Sequence, residues 1–155
     1  MPLSELPHLD EQAIVSTAGV DDVWAVLTDT PDRIFAPTLM AGYARIVGCA
    51  DHTASGPRPL AEGSTVPGFR VTSAIPGAEL VLAGRHRFST YALIFRLEPL
   101  DADRCRLRAE SRAVFPGLAG GVYRLLVVGT GGHVLAVRWL LAGIASRSES
   151  RARNR

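Results

Sequence analysis

The sequence contains no lysine, so all 17 of its basic residues are arginines. The 15 acidic residues nearly balance them, which leaves a formal net charge of +2. A charge this small gives no overall positive field of the kind that draws proteins to nucleic acid or to anionic membranes. We therefore expect no nucleic-acid partner and no stable insertion into a membrane.

Cysteine is also scarce. Cys49 and Cys105 are too few and too far apart in the chain for a disulfide framework or a metal cluster. We predict two small core thiols, with no metal and no cofactor. The first residues show neither the basic region nor the apolar stretch of a secretory signal. Together these features predict a cytoplasmic protein.

The sequence motifs of the common nucleotide-dependent and hydrolytic enzymes are missing. The chain has no phosphate-binding loop, no dinucleotide-binding glycine motif after a strand, no zinc-protease motif, no CxxC pair and no GxSxG elbow. The GTGGH segment that begins at Gly129 is rich in glycine but lies within a helical pattern, so we do not expect it to bind phosphate.

A long uncharged run is missing too. The most apolar stretch, Pro116 to Ser146, approaches the ~20 residues that a transmembrane helix needs. However, Arg124, His133 and Arg138 interrupt it, and glycine is frequent within it. We interpret it as one long, buried helix of a soluble domain.

The remaining composition is typical of a single globular domain. Hydrophobic residues make up 47% of the 155 residues and charged residues 21%, which suits a packed core and not a disordered chain. We expect a loose lead-in at residues 1–11, one ligand-binding domain at residues 12–147 and a disordered basic tail at residues 148–155.

The spacing of apolar residues predicts the order of the elements. A helix is predicted at residues 18–29, ended by Pro31, and a second short one at residues 32–36. The predicted strands are residues 12–17, 43–48, 69–74, 79–87, 91–97 and 104–114, with a loop at residues 51–64. With the long C-terminal helix, these elements predict an α+β fold with a curved antiparallel sheet of about six strands.

The last predicted strand has two unlike faces, since arginines and Glu110 alternate with apolar or small residues. This alternation is typical of an antiparallel sheet that is covered on one side. The covered side consists of Cys105, Leu107, Ala109, Ser111 and Ala113. Most of these side chains are small, so we expect space between the strand and the helix above it.

On the long helix, a spacing of 100° per residue defines a stripe that should face the sheet. The stripe consists of Val122, Leu126, His133, Val137, Leu140 and Ile144, with Gly129 at its edge. His133 is the only ionisable group among them. Three glycines lie in the middle of the helix, each costing up to ~1 kcal/mol relative to alanine. They indicate either a kink or room for a ligand.

The element order, together with the segments VDDVWAVLTD, GRHRFSTYALIFRLEPL and CRLRAESRAVFPG, resembles the START-like (SRPBCC) superfamily. That group includes Bet v 1-like proteins, polyketide cyclases/dehydrases and lipid-transfer proteins. The resemblance covers residues 12–147. It implies a helix-grip fold, in which a curved sheet wraps around the last helix and leaves a cavity for an apolar small molecule. The superfamily has no universal catalytic residue to carry over.

His133 and His86 are the candidate catalytic residues. An imidazole on an apolar helix face can act as a general base near neutral pH; the alternative is a core histidine held by one hydrogen bond. His86 lies either in a strand that faces inward or in a hairpin turn at the rim of the cavity.

The expected ligand contacts come from the helix and the strands that face it. They are Leu126, Gly129, His133, Val137, Tyr91, Leu93, Phe95, Leu107, Ala109, Ser111, Leu82 and Phe88. We predict a monomer or homodimer that binds an apolar or aromatic small molecule, lipid-like or polyketide-like. The alternatives are a cyclase or dehydratase in which a histidine acts as general acid or base, and a protein-interaction module without a ligand.

Overall fold

The computed structural model describes residues 2–29 and 45–155. The strands of this part of the chain are β1 (His8–Ser16), β2 (Thr65–Val66), β3 (Phe69–Ile75), β4 (Glu79–His86), β5 (Ser89–Asp101) and β6 (Arg104–Val114). Its helices are α1 (Val20–Asp29), α2 (Gly117–Arg124) and α3 (Gly132–Arg153), with a π-helical turn at Leu125–Gly129 and a short 3-10 helix at Leu3–Glu5.

The strands form one antiparallel sheet in the order β1-β6-β5-β4-β3-β2. α3 packs on β1 and β6 and also against α1. This is the helix-grip arrangement that the sequence predicts, with a six-stranded curved sheet and a long C-terminal helix. The alternation of residues along the strands determines which face of the sheet is inner and which is outer. In β6, for example, the apolar side faces the helix.

The hydrophobic core lies between the sheet and α3. Strand register places Leu80, Phe95 and Ala109 in one row across β4, β5 and β6, and all three are buried. From the helix, Val137, Leu140, Leu141 and Ile144 pack on this part of the sheet. Each large apolar side chain buried here contributes about 1.5–3 kcal/mol. This packing anchors α3 on the sheet.

The N-terminal segment covers part of the outer face of the sheet. Leu6 is only 2% exposed and packs against Val81, Ala92 and Ile94. Arg112 Nη1 donates hydrogen bonds to the carbonyl oxygens of residues 4 and 6. The structure therefore departs from the loose lead-in predicted at residues 1–11, because one apolar side chain and a basic strand residue hold this segment in place.

The C-terminal tail differs from the prediction as well. α3 continues to Arg153, so most of the segment predicted to be disordered is helical. Arg151 and Arg155 donate hydrogen bonds to the carboxylate of Asp22, which is buried in the first turn of α1. From its composition the tail is expected to be solvated. Nothing in the sequence indicates its acidic partner, because Asp22 lies far away in the chain.

The strand predicted at residues 43–48 is not present in its described part. Residues 45–47 are helical, and Val47 is buried with Cys49 and the ring of Phe88. Alternation over so few residues does not distinguish a strand from a helical turn. The rest of this segment, and the helix predicted at residues 32–36, lie outside the described residues.

The C-terminal helix is broken between α2 and α3. The π-helical turn adds a residue to one turn, and Gly131 adopts φ of 77°, a left-handed conformation that glycine tolerates without a steric penalty. The two parts meet at an angle of 51°. The stripe predicted from one continuous helix therefore fails before the break, where Val122 of α2 and Leu126 of the π-helical turn are exposed.

Within residues 2–29 and 45–155, no single helix has the length and apolar character to cross a membrane, and only the bent pair Gly117–Gly129 and Gly132–Arg153, taken together, meets those criteria.

Candidate functional site

A cavity of about 190 Å³ lies beside the break in the C-terminal helix and is open on one side. Its floor comes from the end of the sheet, where Leu93 pairs with Ser111 and Tyr91 pairs with Ala113. The helical side of the wall consists of Tyr123, Val127, Val128 and His133. The cavity thus occupies the part of the sheet that the packed face of α3 does not reach.

Ring side chains make up much of the cavity wall. These are Phe69, His86, Tyr91, Phe115 and Tyr123. The ring centroid of Tyr123 lies 4.8 Å from that of His86, edge to face, and 5.5 Å from that of Phe88, stacked. Aromatic pairs at these separations contribute about 0.5–1.5 kcal/mol beyond burial. They hold the rings in fixed orientations.

Tyr91 is fixed by both its ring and its hydroxyl group. The hydroxyl donates a hydrogen bond of 2.5 Å to the carbonyl oxygen of Gly68, and the ring packs edge-on against Phe69. Gly84 lies opposite Tyr91 in the β4–β5 pair. A Cβ atom on Gly84 would lie 2.2 Å from that same carbonyl oxygen. The position of the Tyr91 ring therefore requires glycine at residue 84.

His86 is the last residue of β4 and pairs with Ser89 across the β4–β5 turn. The sequence left two positions open for His86, a strand or a hairpin turn. The structure places it at the junction of the two, because it ends β4 and borders the turn. The backbone N–H of Phe88 donates to His86 Nδ1 at 3.0 Å, so the neutral ring carries its proton on Nε2. Burial lowers the pKa of His86. At neutral pH the ring is a hydrogen-bond donor without charge.

His133 lies near the start of α3, where the cavity meets the core. Its Nε2 atom is 2.9 Å from Ser111 Oγ and 3.8 Å from Asp10 Oδ1. Asp10 pairs with Ser111 in the β1–β6 register, and its Oδ1 atom is buried without a hydrogen-bond partner among the described residues. The Ser111 hydroxyl and the Asp10 carboxylate therefore both lie beside the same nitrogen of His133, Nε2. A Ser-His-Asp relay, which uses both nitrogens, is therefore not formed.

Comparison with solved structures identifies the architecture. The Zhui aromatase/cyclase from Streptomyces sp. R1128 matches with a TM-score of 0.61 and 16% identity, over 95% of this chain and 96% of that one. Truncated norcoclaurine synthase from Thalictrum flavum matches with a TM-score of 0.55 and 11% identity, over 92% and 95% of the two chains. This chain has the helix-grip fold.

The sequence itself has no significant match among protein-family models or curated proteins. At such low identity, the likeness to solved structures establishes the helix-grip fold and leaves the ligand to be argued from the cavity.

The cavity beside the helix break contains five of the predicted site residues. These are His86, Tyr91, Leu93, Ser111 and His133. A second group is buried in the core, because α3 packs tightly on that half of the sheet. This group consists of Leu82, Phe95, Leu107, Ala109 and Val137.

The other three predicted residues lie outside this cavity for local reasons. Leu126 and Gly129 are exposed on the outer side of the π-helical turn. Phe88 follows β4 in the hairpin turn and packs against Val47 and Cys49. The burial of Cys49 raises the pKa of its thiol, and this residue also lines the cavity.

Several wall residues were not predicted as ligand contacts. Tyr123 and Val127 are spaced by four, so they form a stripe one position away from Val122 and Leu126, and this spacing was a usable signal. Asp10, which lies beside His133 and does not line the cavity, had no comparable signal, because only the strand register brings it there.

Proposed function

We propose that the protein binds an aromatic small molecule in the cavity beside the helix break. The observation that carries this proposal is the wall of five ring side chains, which offers faces and edges to a flat ligand. The likeness to an aromatase/cyclase and to a norcoclaurine synthase supports it at the level of the fold.

The size of the cavity narrows the class of ligand. Ligand pockets usually enclose ~300–1,000 Å³, and an apolar cavity of ~150 Å³ holds a benzene molecule. A volume of about 190 Å³ therefore encloses roughly one substituted ring or a compact pair of rings. A larger molecule would extend through the open side. The Nε2–H group of His86 and the hydroxyl of Ser111 supply polar contacts to orient it.

We expect the protein to bind 2-naphthol, with an affinity that falls about tenfold in Tyr123→Leu, because the variant removes a ring from the wall. Ala113→Phe is expected to abolish binding, since the new ring fills space above β6. Fluorescence titration of 2-naphthol measures both effects. Trp139→Leu is the matched control, because Trp139 is 66% exposed and lies outside the cavity.

Absence of saturable 2-naphthol binding to the wild-type protein contradicts the proposal. So does a Tyr123→Leu variant that binds as tightly as Trp139→Leu.

Acid–base catalysis in the same cavity is a second candidate function. Both histidines line one cavity, and His133 has a hydroxyl and a carboxylate beside Nε2. In this reaction His133 Nε2 removes a proton from the carbon next to a ligand carbonyl, after Ser111 releases its hydrogen bond. The Asp10 carboxylate stabilises the resulting positive ring, and His86 Nε2–H donates to the enolate oxygen.

For this candidate we expect the protein to accelerate deuterium exchange into the methyl group of acetophenone. His133→Gln keeps a hydrogen-bonding side chain near Ser111 but accepts no proton, and should lower the rate by about 10²–10⁴-fold. Proton NMR in deuterium oxide follows the exchange. The control is His52→Gln, because His52 lies outside the cavity wall. If exchange matches the buffer rate while 2-naphthol still binds, the protein is a binding protein without this activity.

A further inference from the structure

The outer face of α2 and of the π-helical turn carries four large, exposed apolar side chains. Leu118 is 93% exposed, Val122 59%, Leu125 71% and Leu126 64%. Their spacing of four, seven and eight residues from the first places them on one side of the helix. We name these four residues the apolar ridge. Contiguous exposure of this kind marks an interaction surface more often than an ordinary solvated face.

Two further apolar side chains are exposed beyond the helix break. Leu135 and Trp139 are each 66% exposed and are spaced by four residues on α3. Tryptophan is enriched at membrane–water interfaces because its ring is apolar and its N–H is polar. The exposed apolar surface thus extends along both parts of the C-terminal helix.

The charged residues of the C-terminal helical segment up to residue 148 are all arginines. The sequence has no aspartate or glutamate between Glu110 and Glu149, whereas Arg124 and Arg138 lie in that interval and are exposed. The small net charge of the whole chain conceals this local excess. Arg124 lies between Val122 and Leu125 in the sequence, so a positive charge adjoins the apolar ridge. An apolar helix surface that carries arginines beside it complements an anionic lipid bilayer.

A second copy of this chain is a poorer partner for the same surface. In a two-fold symmetric dimer each ridge meets the ridge of the other copy, so the arginines beside one ridge would approach those beside the other. Like charges brought together at an interface oppose association. The surface offers no acidic side chain to offset them within residues 111–148.

We propose that the apolar ridge docks the protein reversibly on the surface of an anionic bilayer. The leucine side chains enter the boundary between headgroups and acyl chains, and Arg124 contacts the lipid phosphates. The opposite side of the same helical segment contributes Tyr123, Val127 and Val128 to the cavity wall. Docking therefore brings the cavity next to the bilayer without requiring the chain to cross it. This inference is independent of the aromatic-ligand proposal.

The test uses the full chain and vesicles made of equal parts phosphatidylcholine and phosphatidylglycerol. We expect the wild-type protein to float with these vesicles. Binding should be weaker to vesicles of pure phosphatidylcholine, and also weaker to the anionic vesicles at high salt. The double variant Leu118→Ser/Leu126→Ser should lose at least about tenfold in affinity, because two leucines no longer enter the bilayer. The matched control, Ile75→Ser/Leu100→Ser, removes two exposed apolar side chains from the sheet instead and should bind as wild type.

Three results would overturn this inference. The first is no flotation of the wild-type protein with anionic vesicles, and the second is equal binding by the ridge variant and its control. The third is a wild-type dimer in light scattering that becomes monomeric in the ridge variant while neither binds vesicles, which would assign the ridge to a second copy. Thermal unfolding checks that both variants are folded, and unchanged 2-naphthol binding by the ridge variant separates this result from the proposed function.

Discussion

Replacing Gly84 by alanine is expected to destabilise the protein by about 3 kcal/mol or more and to abolish 2-naphthol binding. The added Cβ would lie 2.2 Å from the Gly68 carbonyl oxygen and 2.6 Å from the Tyr91 ring. Neither neighbour moves easily, since one is backbone and the other is bonded to that backbone through its hydroxyl. Relief of the clash therefore separates β4 from its neighbours and displaces a ring of the cavity wall.

Urea denaturation measures the loss of stability in Gly84→Ala, and Gly143→Ala provides the control. An added Cβ at Gly143 meets nothing within 4 Å, and the residue lies within α3. That substitution should stabilise the protein by up to ~1 kcal/mol, since alanine favours helix over glycine. An unfolding midpoint for Gly84→Ala equal to that of the wild type would show that the close approach of these strands is absent.

The second large effect is expected at Glu110, where the Gln variant should lose about 3 kcal/mol of stability at neutral pH. The carboxyl side chain is 7% exposed, and it accepts hydrogen bonds of 2.6 Å from both Arg96 Nη1 and Arg112 Nε, with His8 Nδ1 at 3.2 Å. Burial alone raises the pKa of Glu110. The hydrogen bonds from Arg96, His8 and Arg112 outweigh burial and bring the pKa to about 2.

The sign of the pH dependence follows from this lowered pKa. The charged carboxylate stabilises the folded state at pH values above the ordinary value of 4.5, and this stability is lost as the pH falls toward 2. Urea denaturation at pH 7 and at pH 3 should therefore show a gap between wild type and Glu110→Gln that narrows in acid. Glu98→Gln, whose exposed carboxylate pairs with Arg106 and Arg108, should cost about 1 kcal/mol or less. Equal losses in both variants would contradict the special role of Glu110.

The sequence predicted most of the sheet because its strands alternate clearly. β6 has the predicted ends, Arg104 and Val114, since charged residues alternate with apolar or small ones along almost its whole length. The buried faces of β5 and of α3 beyond residue 133 follow the same reasoning. These elements obey a single period, and one period is enough to assign a face.

The site was predicted less completely because it depends on irregular backbone and on distant pairings. The π-helical turn and the left-handed Gly131 change the phase of the helix, so Tyr123 and Val127 face the cavity in place of Val122 and Leu126. No local pattern in the sequence signals a π-helical turn. His133 was recognised from its own helix, but Asp10 became visible only through the register of β1 with β6.

The pairing of β1 with β6 also constrains how the chain folds. His8 and Glu110, which are in contact across these strands, are separated by 102 positions in the sequence. Closing so long a segment is slow and entropically costly, so strand pairs of this kind tend to form after the local hairpins. β3 to β6 are joined by short turns and can assemble first. Asp10 reaches Ser111 and His133 only when β1 is added to the sheet. The cluster of Asp10, Ser111 and His133 is therefore completed in the step that adds β1.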